Sequence, residues 1–167
     1  MGTHEHKAAA PTAVTVAVLT ATTTRTRQTD ISGQWIHQQA RLAGHEVVAH
    51  RVVPDDADRI ADAVLSVIRQ NAPEVLVLNG GTGISPKDLT IEAVRPLFAK
   101  ELSAFGALFA ALSFDEIGSA ALLSRAVAGV IGRTVVFCLP GSLKACQLAC
   151  SKLIFPEIGH LVHHIQE

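Results

Sequence analysis

The chain carries no excess of charge of either sign, no Cys-x-x-Cys pair and neither of the common phosphate-loop signatures. With 14 Lys and Arg against 15 Asp and Glu, its formal net charge is -1. The basic residues are scattered, so neither the stripe that grips nucleic acid nor the patch that meets an anionic membrane is present. A small soluble ligand fits that balance better. No apolar stretch is expected to approach the roughly 20 residues that span a bilayer, and residues 1–11 lack the apolar centre of a signal peptide. A cytoplasmic protein is the expectation. Cys138, Cys146 and Cys150 then read as buried reduced thiols, packed as small hydrophobes. The glycines do not follow Gly-x-Gly-x-x-Gly or Gly-x-x-x-x-Gly-Lys-Ser/Thr, which argues against the standard dinucleotide and P-loop sites.

What is present is an apolar run, residues 75–78, leading into Asn79-Gly80-Gly81-Thr82-Gly83 and then Lys87 and Asp88. A short continuous apolar run after a proline reads as a parallel strand buried on both faces. The glycines would emerge at the carboxyl edge of a sheet, where open α/β folds bind ligands. Without a Cβ, such a loop brings backbone N–H groups against phosphate oxygens. Lys87 can neutralise phosphate charge and Asp88 can hold a phosphate-bridging magnesium ion. A tight turn with Asp88 or Thr90 capping the next helix accounts for the same residue types.

At 167 residues and 49% hydrophobic content, the chain can bury one substantial core. No repeat, low-complexity tract or composition shift divides it. Residues 1–12, with His4 and His6, are expected as a disordered tail, and residues 13–167 as a single domain. The β-branched run 14–19 predicts a first strand, followed by a hydroxyl-rich loop holding Thr22, Thr23, Arg25 and Arg27. Asp30 or Ser32 caps a helix to about Leu42, ended by Gly44. Strand 47–53 follows, then a helix whose Ile60, Val64 and Ile68 make a buried stripe. Helices are expected over 90–98, 103–112 and 118–127, a strand over 134–139, a helix over 143–154 and a last one from Pro156. Alternation of this kind predicts an α/β fold, a three-layer α/β/α sandwich with a mostly parallel sheet. The loops after its strands then share one edge, so residues 22–27, 80–88 and 140–142 face a common cleft. Of Asp55, Asp56 and Asp58, one caps the next helix and a second favours its positive end. A third, taken as Asp55, is spare to complete a divalent-metal site with Asp88. His160, His163 and His164 share a helical face near the chain end, read as a solvated face with metal binding as the alternative.

Four ordered motifs carry a resemblance: LNGGTGISPKDLTIEA over residues 78–93, LSFDEIG over 112–118, LSRAVAGV over 123–130 and LPGS over 139–142. Together they resemble the MoaB/MogA molybdenum cofactor biosynthesis family, the MoaB branch most closely, over residues 14–161. The resemblance implies a molybdopterin-binding fold assembling as trimers or hexamers. It implies molybdopterin adenylyltransferase activity, in which the terminal phosphate of molybdopterin attacks the α-phosphorus of ATP and pyrophosphate leaves. Mg2+ is the implied cofactor, and a molybdenum-insertion protein is an implied downstream partner. By position, Asp55 and Asp88 match the family's catalytic, metal-holding acids, and Gly80, Gly81, Thr82 and Gly83 its phosphate loop. Ser119, Arg125, Pro140, Gly141 and Ser142 match positions around the pterin cleft. Thr22-Thr23 replaces the Ser-Asp of many members, Lys87 the commoner arginine and Asn79 the commoner threonine. A non-catalytic molybdopterin-binding or carrier protein is therefore the alternative reading. The alanine- and leucine-rich stretch 102–130 suits subunit contacts, although core helices have the same composition.

Overall fold

The computed structural model describes residues 11–167; most of the expected tail, including His4 and His6, lies outside the described residues. Six strands form one sheet in the order β2-β1-β3-β6-β5-β4. β1 (Thr15–Ala21), β2 (Glu46–Val53), β3 (Val75–Asn79) and β6 (Thr134–Leu139) are mutually parallel, while β5 (Val127–Ile131) runs antiparallel to β6 and the short β4 (Lys100–Glu101) antiparallel to β5. Successive residues of the central strands feed two cores, as the two-residue period of a strand requires. Val16, Val18, Val75 and Val77 face one side with Ile36, Phe109 and Ile154. Ala17, Leu19, Leu76 and Leu78 face the other with Ile60, Val64 and Ile91. The expected three-layer sandwich is therefore what forms.

The first side is covered by α1 (Ile31–Leu42), α4 (Ser103–Ile117), α5 (Leu143–Ala149) and α6 (Phe155–Gln166); the second by α2 (Ala57–Asn71) and α3 (Thr90–Val94). Asp30 caps α1 through Gly33 N, and Asp56 caps α2 through Arg59 N. The buried stripe of α2 is Ile60, Val64 and Val67, with Ile68 only half-buried. From β1 the chain steps outward to β2 and then returns across to β3, so β1 and β3 part at their carboxyl ends. That reversal is where open parallel sheets form a crevice.

Three expectations are corrected. Residues 118–127 are not a helix: a 3-10 segment, Gly118–Leu123, ends before β5. α3 is only one turn and continues as the 3-10 segment Arg95–Leu97. Ser103–Leu123 is 21 residues at mean hydropathy 1.4, long and apolar enough by those criteria to cross a membrane. Its inner face, Phe105, Phe109 and Ser113, is buried in the core. Its outer face exposes Leu108, Phe114, Ile117, Leu122 and Leu123.

Candidate functional site

The crevice between β1 and β3 opens into a cavity of about 280 Å3. Loops from all four parallel strands line it: Thr22, Thr24 and Arg25 after β1, Asp55 after β2, residues 80–83 and Asp88 after β3, Pro140 and Gly141 after β6. Asp55 and Asp88, 33 positions apart in sequence, are thus brought to one mouth. The lining is mostly polar, as a phosphate-bearing ligand needs.

Capping explains why one acid of the Asp55-Asp56-Ala57-Asp58 run remains for the cavity. Asp56 takes the cap and Asp58 lies in the first turn, so α2 is served without Asp55. The Asp55 carboxylate instead accepts from Thr23 N at 3.0 Å and Thr23 Oγ1 at 3.4 Å. Asp88 accepts from Ser85 N at 2.9 Å, a local turn bond that orients one oxygen. Each acid abuts a loop glycine: a Cβ on Gly81 would lie 3.3 Å from Asp55 Oδ1, and one on Gly83 would meet the Asp88 carboxylate.

The loop itself depends on two glycines. Gly80 and Gly81 have φ of +93° and +66°, a region that L side chains adopt only at a cost. A Cβ on Gly80 would run into the Ala21 carbonyl oxygen, and one on Gly81 would lie 2.5 Å from Thr90 Oγ1. Thr90 secures the turn, donating from Oγ1 to Gly80 O at 2.8 Å and from N to Gly81 O at 2.9 Å. Thr90 is therefore a strut of the loop.

Arg125 is committed to the same loop from outside. Its Nε donates to the carbonyls of Thr82 and Gly83 at 2.9 and 3.1 Å, its Nη2 to Gly83 O at 2.8 Å, and its Nη1 to Glu92 Oε1 at 2.7 Å. The hydrogen bond from Arg125 holds the Glu92 carboxyl below the usual carboxylate range. Lys87 is exposed and Ser119 is exposed on the 3-10 segment; neither lines the cavity. The cation that does line it is Arg25, whose Nη1 donates to Gly141 O at 3.3 Å. Ser142 caps α5 and lines an adjoining hollow of about 220 Å3 with Ser113, Ser124, Pro140 and Lys144. Pro140 belongs to both hollows and forms the rim between them.

Sequence reasoning did not single out the buried polar floor. Asn79 Nδ2 donates to Thr20 Oγ1 at 2.8 Å, and Thr20 Oγ1 donates to Asp30 Oδ2 at 2.5 Å. Asn79 and Thr20 both line the cavity, and Asn79 Oδ1 is buried with no partner among the described residues. A buried acceptor left over at the floor is a place for a ligand donor. Burial alone would raise Asp30, but the His50 imidazole, its Nε2 3.6 Å from Oδ2, and hydrogen bonds from Thr20 and Gly33 outweigh it and hold the carboxyl below its ordinary value. The signal was a polar residue at or next to the carboxyl end of each of two mostly apolar strands, Thr20 in β1 and Asn79 in β3.

The cysteines are buried as expected. Loss of solvation pushes Cys138 and Cys146 up to about 12 and Cys150 higher still, so none is a thiolate near neutrality.

Comparison with known proteins places this geometry. Residues 16–160 match the family model of a probable molybdopterin binding domain. The chain is 46% identical over 166 residues to molybdenum cofactor biosynthesis protein B of Bacillus cereus, covering 99% of this chain and 98% of that protein. The Bacillus subtilis protein of the same description is also 46% identical, over 168 residues and with 100% and 99% coverage. A crystal structure of a molybdenum cofactor biosynthesis protein B superposes with a TM-score of 0.90 at 47% identity, over 94% of this chain and 98% of that one. The tungsten cofactor synthesizing protein MoaB of Pyrococcus furiosus does so at 0.85 and 37%, over 95% and 100%. The chain belongs to the MoaB family of molybdopterin-binding domain proteins.

Proposed function

We propose that the protein acts in molybdenum cofactor biosynthesis by binding molybdopterin and adenylylating it with ATP. The observation that carries this reading is the arrival of Asp55 and Asp88 at one cavity beside the glycine loop. In the proposed reaction an oxygen of the molybdopterin terminal phosphate attacks the α-phosphorus of ATP. The new P–O bond joins AMP to the pterin phosphate, and the bond to pyrophosphate breaks. The glycine-loop backbone and Arg25 hold phosphates in line, and Asn79 offers its spare acceptor at the floor. The adjoining hollow, with Ser113, Ser142 and Lys144 in its lining, takes the pterin. Lys87 steers phosphates from the rim, and Arg125 acts by fixing the loop carbonyls that its guanidinium holds. Ser119 is a rim residue of the pterin side.

The residues fit Mg2+. Two carboxylates meet at one mouth, and no set of three or more His, Cys, Asp or Glu ligands converges among the described residues. That sparse donor set is the one Mg2+ uses when substrate phosphates and water complete its shell. Asp55 and Asp88 would hold the ion, which would supply neutralisation of the triphosphate charge.

The proposal extends to a cytoplasmic, single-domain protein that assembles as trimers or hexamers. Its product passes to a molybdenum-insertion protein. Support for self-association comes from the exposed Leu108, Phe114, Ile117, Leu122 and Leu123, a concentration of apolar surface unusual for a monomer.

One observation favours a second reading, a molybdopterin carrier without transferase activity. The family resemblance implies an acid of many members at the position of Thr23, whose N–H and hydroxyl here engage the Asp55 carboxylate. Incubation with molybdopterin, ATP and Mg2+ separates the two. Formation of adenylylated pterin with matching pyrophosphate supports the transferase; tight pterin binding with neither product supports the carrier.

A further inference from the structure

His160 and His164 lie four residues apart on α6, and their Nε2 atoms stand 3.0 Å from one another. The ring centroids are 4.7 Å apart. Each ring has its other nitrogen against a carboxylate: His160 Nδ1 is 3.1 Å from Glu157 Oε2, and His164 Nδ1 is 3.2 Å from Glu167 Oε2. An ionised carboxylate only accepts, so each Nδ1 carries the hydrogen, and in a neutral imidazole the lone pair is then on Nε2. Two lone pairs therefore face each other across a gap that is repulsive unless it holds a cation. A carboxylate on one ring nitrogen is also what orients metal-ligating histidines.

We propose that His160 and His164 form a two-imidazole site for a divalent transition metal of tetragonal preference, Ni2+ or Cu2+. Metal–nitrogen bonds of about 2.0–2.1 Å closed over the 3.0 Å separation subtend roughly 94° at the ion. That is near the cis angle of square-planar coordination, whereas a tetrahedral ion would set the nitrogens roughly 3.3 Å apart. No third His, Cys, Asp or Glu joins the pair among the described residues. The helix C-terminus adds a favourable field for positive charge. The end of α6 reaches the amino edge of the sheet, where Gln166 Nε2 donates to Glu74 Oε1 at 2.7 Å just before β3. The site is thus at the opposite edge from the glycine loop and independent of the proposed transferase chemistry.

Isothermal titration of Ni2+ into the full-length protein tests the site. It is run on the wild type and on an H4A/H6A variant, because those imidazoles lie outside the described residues. One equivalent of Ni2+ binding to H4A/H6A is the expected result. In that background His160→Ala and His164→Ala should each weaken binding by about tenfold or more, and Glu157→Gln by about tenfold. With Cu2+, the electron paramagnetic resonance spectrum should be axial with coupling to two nitrogens, one of which is lost in each histidine variant. Far-UV circular dichroism checks that α6 persists in the variants. Absence of Ni2+ binding by H4A/H6A, or undiminished binding after His160→Ala, overturns the proposal; a proton shared between the rings in place of a metal gives the first of these results.

Discussion

The parallel half of the sheet and its antiparallel half put different surfaces to use. In the parallel half, β2, β1, β3 and β6 all end at one edge, and their loops supply nearly every residue lining the polar cavity. In the antiparallel half, the connection from β4 to β5 gives that lining Leu123 alone. The helix between them, α4, instead turns apolar side chains outward, with Leu122 just beyond it 86% exposed. Parallel strands deliver all their carboxyl ends to the same side, so polar groups from distant segments gather there. An antiparallel strand points its carboxyl end to the other side, so β5 reaches this edge only through the residues that precede it, Arg125 among them. The difference teaches that the polar cavity and the exposed apolar surface are built largely from different parts of this chain, with Leu123 the one residue that lines the cavity from the apolar segment.

Asp88→Asn should break the comparison most severely. Pyrophosphate release is expected to fall by on the order of a hundredfold or more, with pterin binding retained and the oligomer unchanged by light scattering. Unchanged turnover would remove Asp88 from the mechanism. Leu122→Asp acts on the other half. A charge placed in a buried subunit contact should shift the oligomer toward monomer by about tenfold or more in dissociation constant, measured by analytical ultracentrifugation. If the variant assembles normally, the exposed apolar face is not the contact.

Gly81→Ala tests the loop geometry. The positive φ and the collision with Thr90 Oγ1 should cost about 1–2 kcal/mol in urea unfolding, with weaker nucleotide binding. Asp30→Asn addresses the buried floor through pH. The folded-state carboxyl is held below its ordinary value, so its stabilising effect is present above about pH 4 and is lost as pH falls through the folded pKa. The stability gap between wild type and Asp30→Asn should therefore be largest near neutrality and close on acidification, as read from unfolding midpoints. Glu92→Gln should be the mildest change. Its contact with Arg125 is half-exposed, and such pairs contribute less than about 1 kcal/mol; a larger loss would mean that Glu92 holds Arg125 on the loop carbonyls.

The same division governs what the amino-acid order revealed. Strands β1, β2, β3 and β6 were legible because each is a β-branched or apolar run bounded by turn residues, and their shared edge follows from topology alone. β5 was not, since Val127-Ala128-Gly129-Val130-Ile131 continues an alanine- and leucine-rich tract and holds a glycine in mid-strand. That glycine is required by packing: a Cβ on Gly129 would overlap the Phe98 ring, a contact invisible in one dimension. Two residues, β4, pair only because β5 is there. At the site, Asp55 and Asp88 were legible as acids beside turns, and the loop glycines by their density. Which of three neighbouring aspartates caps α2 depended on helix phase, and the structure gives that task to Asp56. Arg125 matched a motif position, but its five donors could be assigned only once Thr82, Gly83 and Glu92 were seen around it.

Gly141 sits so close to Gly80 that a Cβ there would come within 3.1 Å of the Gly80 Cα, so the turns after β3 and β6 meet main chain to main chain. No side chain stands at that seam to be exchanged, enlarged or recharged. Divergence in ligand preference within this architecture is therefore left to the side chains around the seam, Thr22 to Arg25 on one side and Leu123 on the other among them, while the seam itself stays fixed for as long as the sheet does.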